Sequence, residues 1–168
     1  AIIKVAEGYK LGVQAVNPNC DVYTAYTGST EDVQKSKEAA QAMIDKGVDL
    51  IGGGGNASNA GMIKACEEAG VYAFGELEQQ NLAPETVIFC NMNNIENLVL
   101  QAVKDTIDGD FQGCIREYGI SADVAQLTEY NSHVPQEVKD KLAECMDQMR
   151  SGELDIPMIT EISDDIIH

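Results

Sequence analysis

The chain contains no tryptophan, and aromatic residues make up only 5% of its 168 positions. Its interior must rest on Ile, Val, Leu, Met and Ala, within a hydrophobic fraction of 44% that suffices for one sizeable domain or lobe. Basic residues are also scarce, with 11 Lys and Arg against 28 Asp and Glu, a formal net charge of -17. Such a surface repels phosphate backbones and anionic lipid headgroups, so neither nucleic-acid binding nor electrostatic docking to a membrane is expected. The plain reading of the acidity is a solvated, self-repelling exterior.

Histidine occurs twice, at His133 and the terminal His168. No Ser/His/Asp, Cys/His or two-histidine metal pattern can be drawn from them, so the expectation is no catalytic residue, no metal site, no cofactor and no enzyme. The five cysteines, Cys20, Cys66, Cys90, Cys114 and Cys145, include no C-x-x-C pair, and their odd number argues against a complete disulfide framework. Several lie in apolar stretches, where cysteine behaves as a small hydrophobe. There is no signal-peptide pattern and no apolar run of bilayer-spanning length. The opening residues Ala1-Ile2-Ile3-Lys4-Val5-Ala6 carry no Met and already sit inside a helical pattern, so the chain is expected to be a piece of a longer protein.

What is present is an alternation of helical and strand-like segments. Ile2–Val16 reads as a helix with Ile3, Ala6, Val13 and Val16 on one face, ended by Asn17-Pro18-Asn19. Asp21–Tyr26 alternates as a strand, with Val22, Thr24 and Tyr26 on one side. The turn Thr27–Thr30 offers an N-cap, and a helix to about Lys46 is expected to bury Val33, Ala40, Met43 and Ile44. Strands are expected at Val48–Ile51, Val71–Phe74 and Thr86–Asn91, with a helix from about Ala60 to Ala69 between the first two. A helix over Asn94–Ile107 would bury Ile95, Leu98, Val99, Ala102 and Val103. Cys114–Tyr118 and Val124–Leu127 are weaker strand candidates. A last helix begins at Val134–Glu137, with Pro135 in its first turn and Leu142, Cys145, Met146 and Met149 inward, before an extended tail over 153–168.

Strand–helix alternation with short connections predicts a doubly wound, mostly parallel sheet. Ligands of such sheets bind beyond the carboxyl ends of the strands. Three connections leave those ends, and all are polar or glycine-rich. The first is Gly52-Gly53-Gly54-Gly55-Asn56-Ala57-Ser58-Asn59. Its glycines allow close backbone approach and positive φ, while Asn56, Ser58 and Asn59 bring donors and acceptors to a helix N-terminus. It is no P-loop, since no Gly-Lys-Ser/Thr follows, and it fails the G-x-G-x-x-G spacing at Ala57. A flexible strand–helix turn would look much the same. The second connection carries Glu76 and Glu78, whose carboxylates could accept paired hydrogen bonds from a ligand, or be solvated loop acids. The third runs from Asn91 to Asn94. The candidate ligand-binding residues are therefore Gly54, Gly55, Asn56, Ser58, Glu76, Glu78, Asn91 and Asn93.

The order of several stretches carries a resemblance. They are Glu7-Gly8-Tyr9-Lys10-Leu11-Gly12, Val16-Asn17-Pro18, Tyr26-Thr27-Gly28-Ser29, Gly47-Val48-Asp49-Leu50-Ile51, the glycine loop with Gly61, and Tyr72-Ala73-Phe74-Gly75. Val134-Pro135-Gln136-Glu137 and Ser151-Gly152-Glu153-Leu154-Asp155-Ile156-Pro157 complete the set. Together the chain resembles the C-terminal part of the basic membrane protein family of bacterial substrate-binding lipoproteins, whose best-known members are purine nucleoside receptors. The resemblance implies one lobe of a two-lobed type I periplasmic binding protein, with the N-terminal lobe and the strand before the first helix outside this chain. It further implies a small-molecule ligand, an ABC permease as partner and an extracytoplasmic, lipid-anchored full-length form. Two departures weaken nucleoside specificity: a family aspartate for ribose hydroxyls falls at Leu77, and a family lysine falls near Asn93. A lost buried polar partner can shift discrimination by several kcal/mol. A ligand-sensing domain of a transcriptional regulator is the alternative, and a flavodoxin-like enzyme a third reading without phosphate-loop chemistry to support it.

Overall fold

A computed structural model describes residues 2–162. It contains five α-helices and a four-stranded sheet: α1 Ile2–Val16, α2 Val33–Ile44, β1 Leu50–Gly52, α3 Asn59–Ala69, β2 Tyr72–Glu76, β3 Val87–Asn93, α4 Ile95–Asp108, β4 Ala125–Leu127 and α5 Gln136–Ser151. The sheet order is β1-β2-β3-β4. β1, β2 and β3 are parallel, and β4 closes one edge antiparallel to β3. This is an α/β lobe with a mixed, mostly parallel sheet.

Local chemistry accounts for most boundaries. Asp32, extended in its backbone, accepts the Lys35 amide at 3.0 Å and starts α2. The expected cap in Thr27–Thr30 instead forms a turn in which Ser29 Oγ accepts the amides of Glu31 and Asp32. Asn94 caps α4 through the Asn97 amide at 3.1 Å. Gly70, Gly109 and Gly152 end α3, α4 and α5 in the left-handed conformation that glycine adopts without a Cβ penalty. Pro135 is the residue before α5 rather than part of its first turn.

The core lies between α2, α3 and the sheet. Ile51, Ile63, Ala65, Cys66, Ala73, Val87 and Cys90 are buried there, with Met43 and Ile44 packed against them. Burial pushes the Cys66 thiol up to about 11. Gly61 sets the distance between α2 and α3: a Cβ on it would stand 1.9 Å from the carbonyl oxygen of Val33. On the other face of β2, Phe74 meets Tyr9 of α1 at 5.1 Å between ring centres and stacks on Phe89 at 5.4 Å.

Sequence expectations change in four places. Asp21–Tyr26 does not join the sheet, and only Thr24 in it forms a β-bridge. A strand needs a fully paired neighbour, and alternation alone does not supply one. Cys114–Tyr118 has no regular structure. β2 and β3 each extend further than expected, so Glu76, Asn91 and Asn93 belong to strands. Val33 is exposed, and so is the stripe Ile95, Leu98, Val99, Ala102 and Val103 of α4, because no described element covers it. Residues 153–162 lack helix or strand beyond a Leu154 amide bond to Gln148, and the remainder of the expected tail, 163–168, lies outside the described residues.

Candidate functional site

The carboxyl ends of β1 and β2 are joined by one amide side chain. Asn59, only 2% exposed at the start of α3, accepts the Gly55 amide through Oδ1 at 3.0 Å. Its Nδ2 donates to Gln79 Oε1 at 3.1 Å and to Glu76 Oε2 at 3.4 Å. Gln79 Oε1 also accepts the Glu76 amide at 3.0 Å, and Gln79 Nε2 donates to the carbonyl of Asn56 at 3.2 Å. Two side chains thus tie the glycine loop to the end of β2. Buried amides with satisfied partners rigidify what they join. Burial raises the Glu76 carboxyl above the ordinary carboxylate range, with the Asn59 hydrogen bond opposing that effect.

The glycines of this loop act through space rather than through unusual backbone angles. None of Gly52 to Gly55 is among the positive-φ residues, which corrects the expectation of positive φ. A Cβ on Gly53 would lie 2.3 Å from Asn59 Oδ1, and one on Gly55 would lie 2.2 Å from Ser58 Oγ. On Gly54 the nearest atom would be 3.6 Å away, an ordinary contact. A side chain on Gly53 would therefore displace the Asn59 amide and one on Gly55 the Ser58 hydroxyl, whereas Gly54 has room for one.

A cavity of about 510 Å³ opens beside this loop, a size within the range of small-molecule pockets. Gly53, Gly54, Gly55, Ser58 and Asn59 line one side, and the Thr27–Thr30 turn lines the other. Ser58 donates its amide to Thr30 O at 3.0 Å, and Asn56 Nδ2 donates to Glu31 Oε1 at 3.1 Å, so the two loops are bonded together. The Thr27–Thr30 turn was read from sequence only as a helix start; its position beside the glycine loop follows from packing.

The eight candidate residues divide. Gly54, Gly55 and Ser58 line the cavity; Asn56 is exposed on the same loop and does not line it. Glu76 connects to it through Asn59, and its Cα neighbour across the ladder is Asn91. Asn93 is exposed two residues further along β3, opposite Ala125, and Glu78 is exposed at the start of the short turn Gln79–Leu82. Glu78, Asn91 and Asn93 do not line the cavity. Gln79 was not nominated from sequence; its spacing of three after Glu76 was the available signal for an amide closing back on the strand end. Between them stands Leu77, exposed and at φ 55, a left-handed backbone unusual for a branched apolar residue. Among the described residues no three His, Cys, Asp or Glu side chains gather as a metal site, and no helix is long and apolar enough to cross a membrane.

A mostly parallel open sheet with polar loops gathered at its carboxyl edge is the arrangement in which α/β lobes of this kind bind ligands. The chain belongs to the Bmp family, described as ABC transporter substrate-binding protein PnrA-like, whose family model matches residues 1–160. It is 26% identical over 154 residues to a purine-binding protein of Brucella abortus, an alignment covering 91% of this chain and 43% of the relative. It is 23% identical to a transcriptional activator protein of Bacillus subtilis, covering 88% of this chain and 47% of the relative. A solved solute-binding protein of an ABC transporter system from Conexibacter woesei shares the fold with a TM-score of 0.76 at 20% identity, over 93% of this chain and 53% of that one. The chain thus spans about half the length of the proteins it matches.

Proposed function

We propose that this chain is one lobe of a two-lobed solute-binding receptor that captures a small polar, nucleoside-like molecule, delivers it to an ABC permease, and catalyses nothing. The observation that carries the reading is the bonded pair of polar loops, Thr27–Thr30 and Gly53–Asn59, around a cavity of about 510 Å³ at the carboxyl edge of the sheet. Family membership and the purine-binding relative support it. In this reading the full-length protein is extracytoplasmic and lipid-anchored, and its other lobe covers the ligand and the apolar stripe of α4. Gly54, Gly55, Asn56 and Ser58 would touch the ligand directly; Glu76, Glu78, Asn91 and Asn93 would do so after closure of the second lobe.

One lobe leaves one face of a ligand in water, which forfeits buried area and the dry surroundings that strengthen polar contacts. A loss of about 4 kcal/mol is roughly a thousandfold in affinity. The test is calorimetry with inosine, adenosine, guanosine and riboflavin, on this chain and on a two-lobed form. The expected result is tight binding of at least one compound by the two-lobed form and millimolar or weaker binding by this chain. Equal affinity for both would overturn the two-lobe reading, and no binding by either would overturn the nucleoside-like ligand.

A second reading has one specific support, the resemblance to a transcriptional activator. There the same lobe senses a ligand inside a regulator. A full gene encoding a DNA-binding segment favours it, and one encoding a signal peptide with a lipid-anchoring cysteine favours the receptor.

A further inference from the structure

The ends of β2 and β3 carry two polar side chains with hydrogen-bonding capacity to spare. Glu76 ends β2, and its ladder partner on β3 is Asn91. Partners in a parallel ladder point to the same face of the sheet, about 4.8 Å apart. Both residues are half-buried. Glu76 Oε2 accepts from Nδ2 of Asn59, a residue that lines the cavity, and the Glu76 amide donates to Gln79 Oε1. Among the described residues, Glu76 Oε1 and the side-chain amide of Asn91 have no hydrogen-bond partner, and neither is sealed from solvent.

We propose that Glu76 and Asn91 clamp one amino group of the ligand, so that amino-bearing heterocycles are taken in preference to counterparts lacking that group. The inference rests on the solute-binding reading above and narrows its ligand class. A planar amino group holds its two N–H bonds about 120° apart, so at N–H···O distances of about 2.9 Å its two acceptors stand about 5 Å from each other. That is close to the spacing of neighbouring strands. Glu76 Oε1 takes one hydrogen and Asn91 Oδ1 the other. A ring C–H at the same place is no useful donor, and a carbonyl would set its oxygen against the carboxylate. Asn59, itself buried and fixed by Gly55 and Gln79, holds the Glu76 carboxylate in one orientation before a ligand arrives. Burial also raises that carboxyl, and no cation among the described residues offsets the effect. Carboxylates kept in such surroundings concentrate at functional sites.

The test is calorimetry on the two-lobed form with two pairs of compounds, guanosine against inosine and adenosine against purine riboside. The members of each pair differ by one exocyclic amino group. The amino-bearing member of at least one pair is expected to bind about thirtyfold more tightly, as a hydrogen bond to a charged acceptor implies. Glu76→Gln keeps an oxygen for Asn59 and turns an N–H toward the ligand's own donor. It is expected to abolish the preference while the counterpart without the amino group keeps its affinity within about threefold. Asn91→Val removes the other acceptor and is expected to cut the preference about tenfold. Retained binding of the counterpart, or an unchanged urea midpoint, shows that each variant folds. No preference in the unchanged protein, an undiminished preference in the variants, or a parallel loss for both members of a pair would overturn the clamp and leave the solute-binding reading standing. Binding of none of the four compounds would overturn the nucleoside-like ligand, and the clamp with it.

Discussion

α3 and α4 are both amphipathic helices, of 11 and 14 residues, yet six residues of α3 are buried and none of α4 is. α3 has α2 on one side and the sheet on the other, brought close by Gly61. α4 carries the clearer apolar stripe in sequence yet leaves it exposed, touching the 110–123 segment through polar side chains such as Asn97 and Asp105; Ile107 is 77% exposed. Periodicity therefore specifies which face of a helix can be buried, while burial itself needs a surface to meet it. The hydrophobic effect acts only on area removed from water.

The largest expected effect is at the close approach on the packed side. Gly61→Ala should lower stability by about 3 kcal/mol, because the added methyl meets backbone rather than a yielding side chain. Gly54→Ala, with no tight neighbour, should leave the urea midpoint nearly unchanged, and equal midpoints for both variants would break the comparison. Next, Val87→Ala should cost about 2 kcal/mol in denaturant titration, since Val87 is fully buried. Val103→Ala in α4 should cost under about 0.5 kcal/mol in this chain. A loss at Val103 as large as that at Val87 would mean that α4 has a packing partner in solution.

Asn59→Ala removes the side chain that joins the glycine loop to β2. It should cost about 2 kcal/mol and speed amide exchange at Gly55 and Glu76, by leaving buried partners unsatisfied. Unchanged exchange at those amides would show that the network is not what holds the loops. Leu77→Gly should raise stability by about 0.5 kcal/mol, as relief of the left-handed strain exceeds glycine's entropy cost. A lower melting temperature for that variant would mean that the Leu77 side chain packs on something.

The smallest effect is a pH dependence at Glu76. Its carboxyl is raised in the folded chain, so between the ordinary carboxylate value and the raised one the folded state holds more protons than the unfolded. Stability attributable to Glu76 therefore falls as pH rises through that window. Glu76→Gln should lose this slope, and urea midpoints of both chains across the acid range measure it. A slope of opposite sign would place the Asn59 hydrogen bond above burial as the dominant influence.

Glycine stops and the start of α4 were determined by the sequence itself, since each rests on contacts between residues near in the chain; the mostly parallel character of the sheet was legible from the alternation of strands and helices, although its ladders join residues 14 to 22 apart. Asn94 caps α4 and Gly70 ends α3 for local reasons. The polar character of the carboxyl edge was equally legible, because the strand ends and the loops after them are contiguous. What tertiary structure alone decided is which of those polar groups meet. Gln79 joins Asn56 and Asn59 from about twenty residues away, and Thr30 meets Ser58 across the cavity. Segment 21–26 has the pattern of a strand and α4 that of a buried helix, and neither is completed within the described residues. A pattern states what a segment can bury, and only a neighbour at packing distance makes it do so.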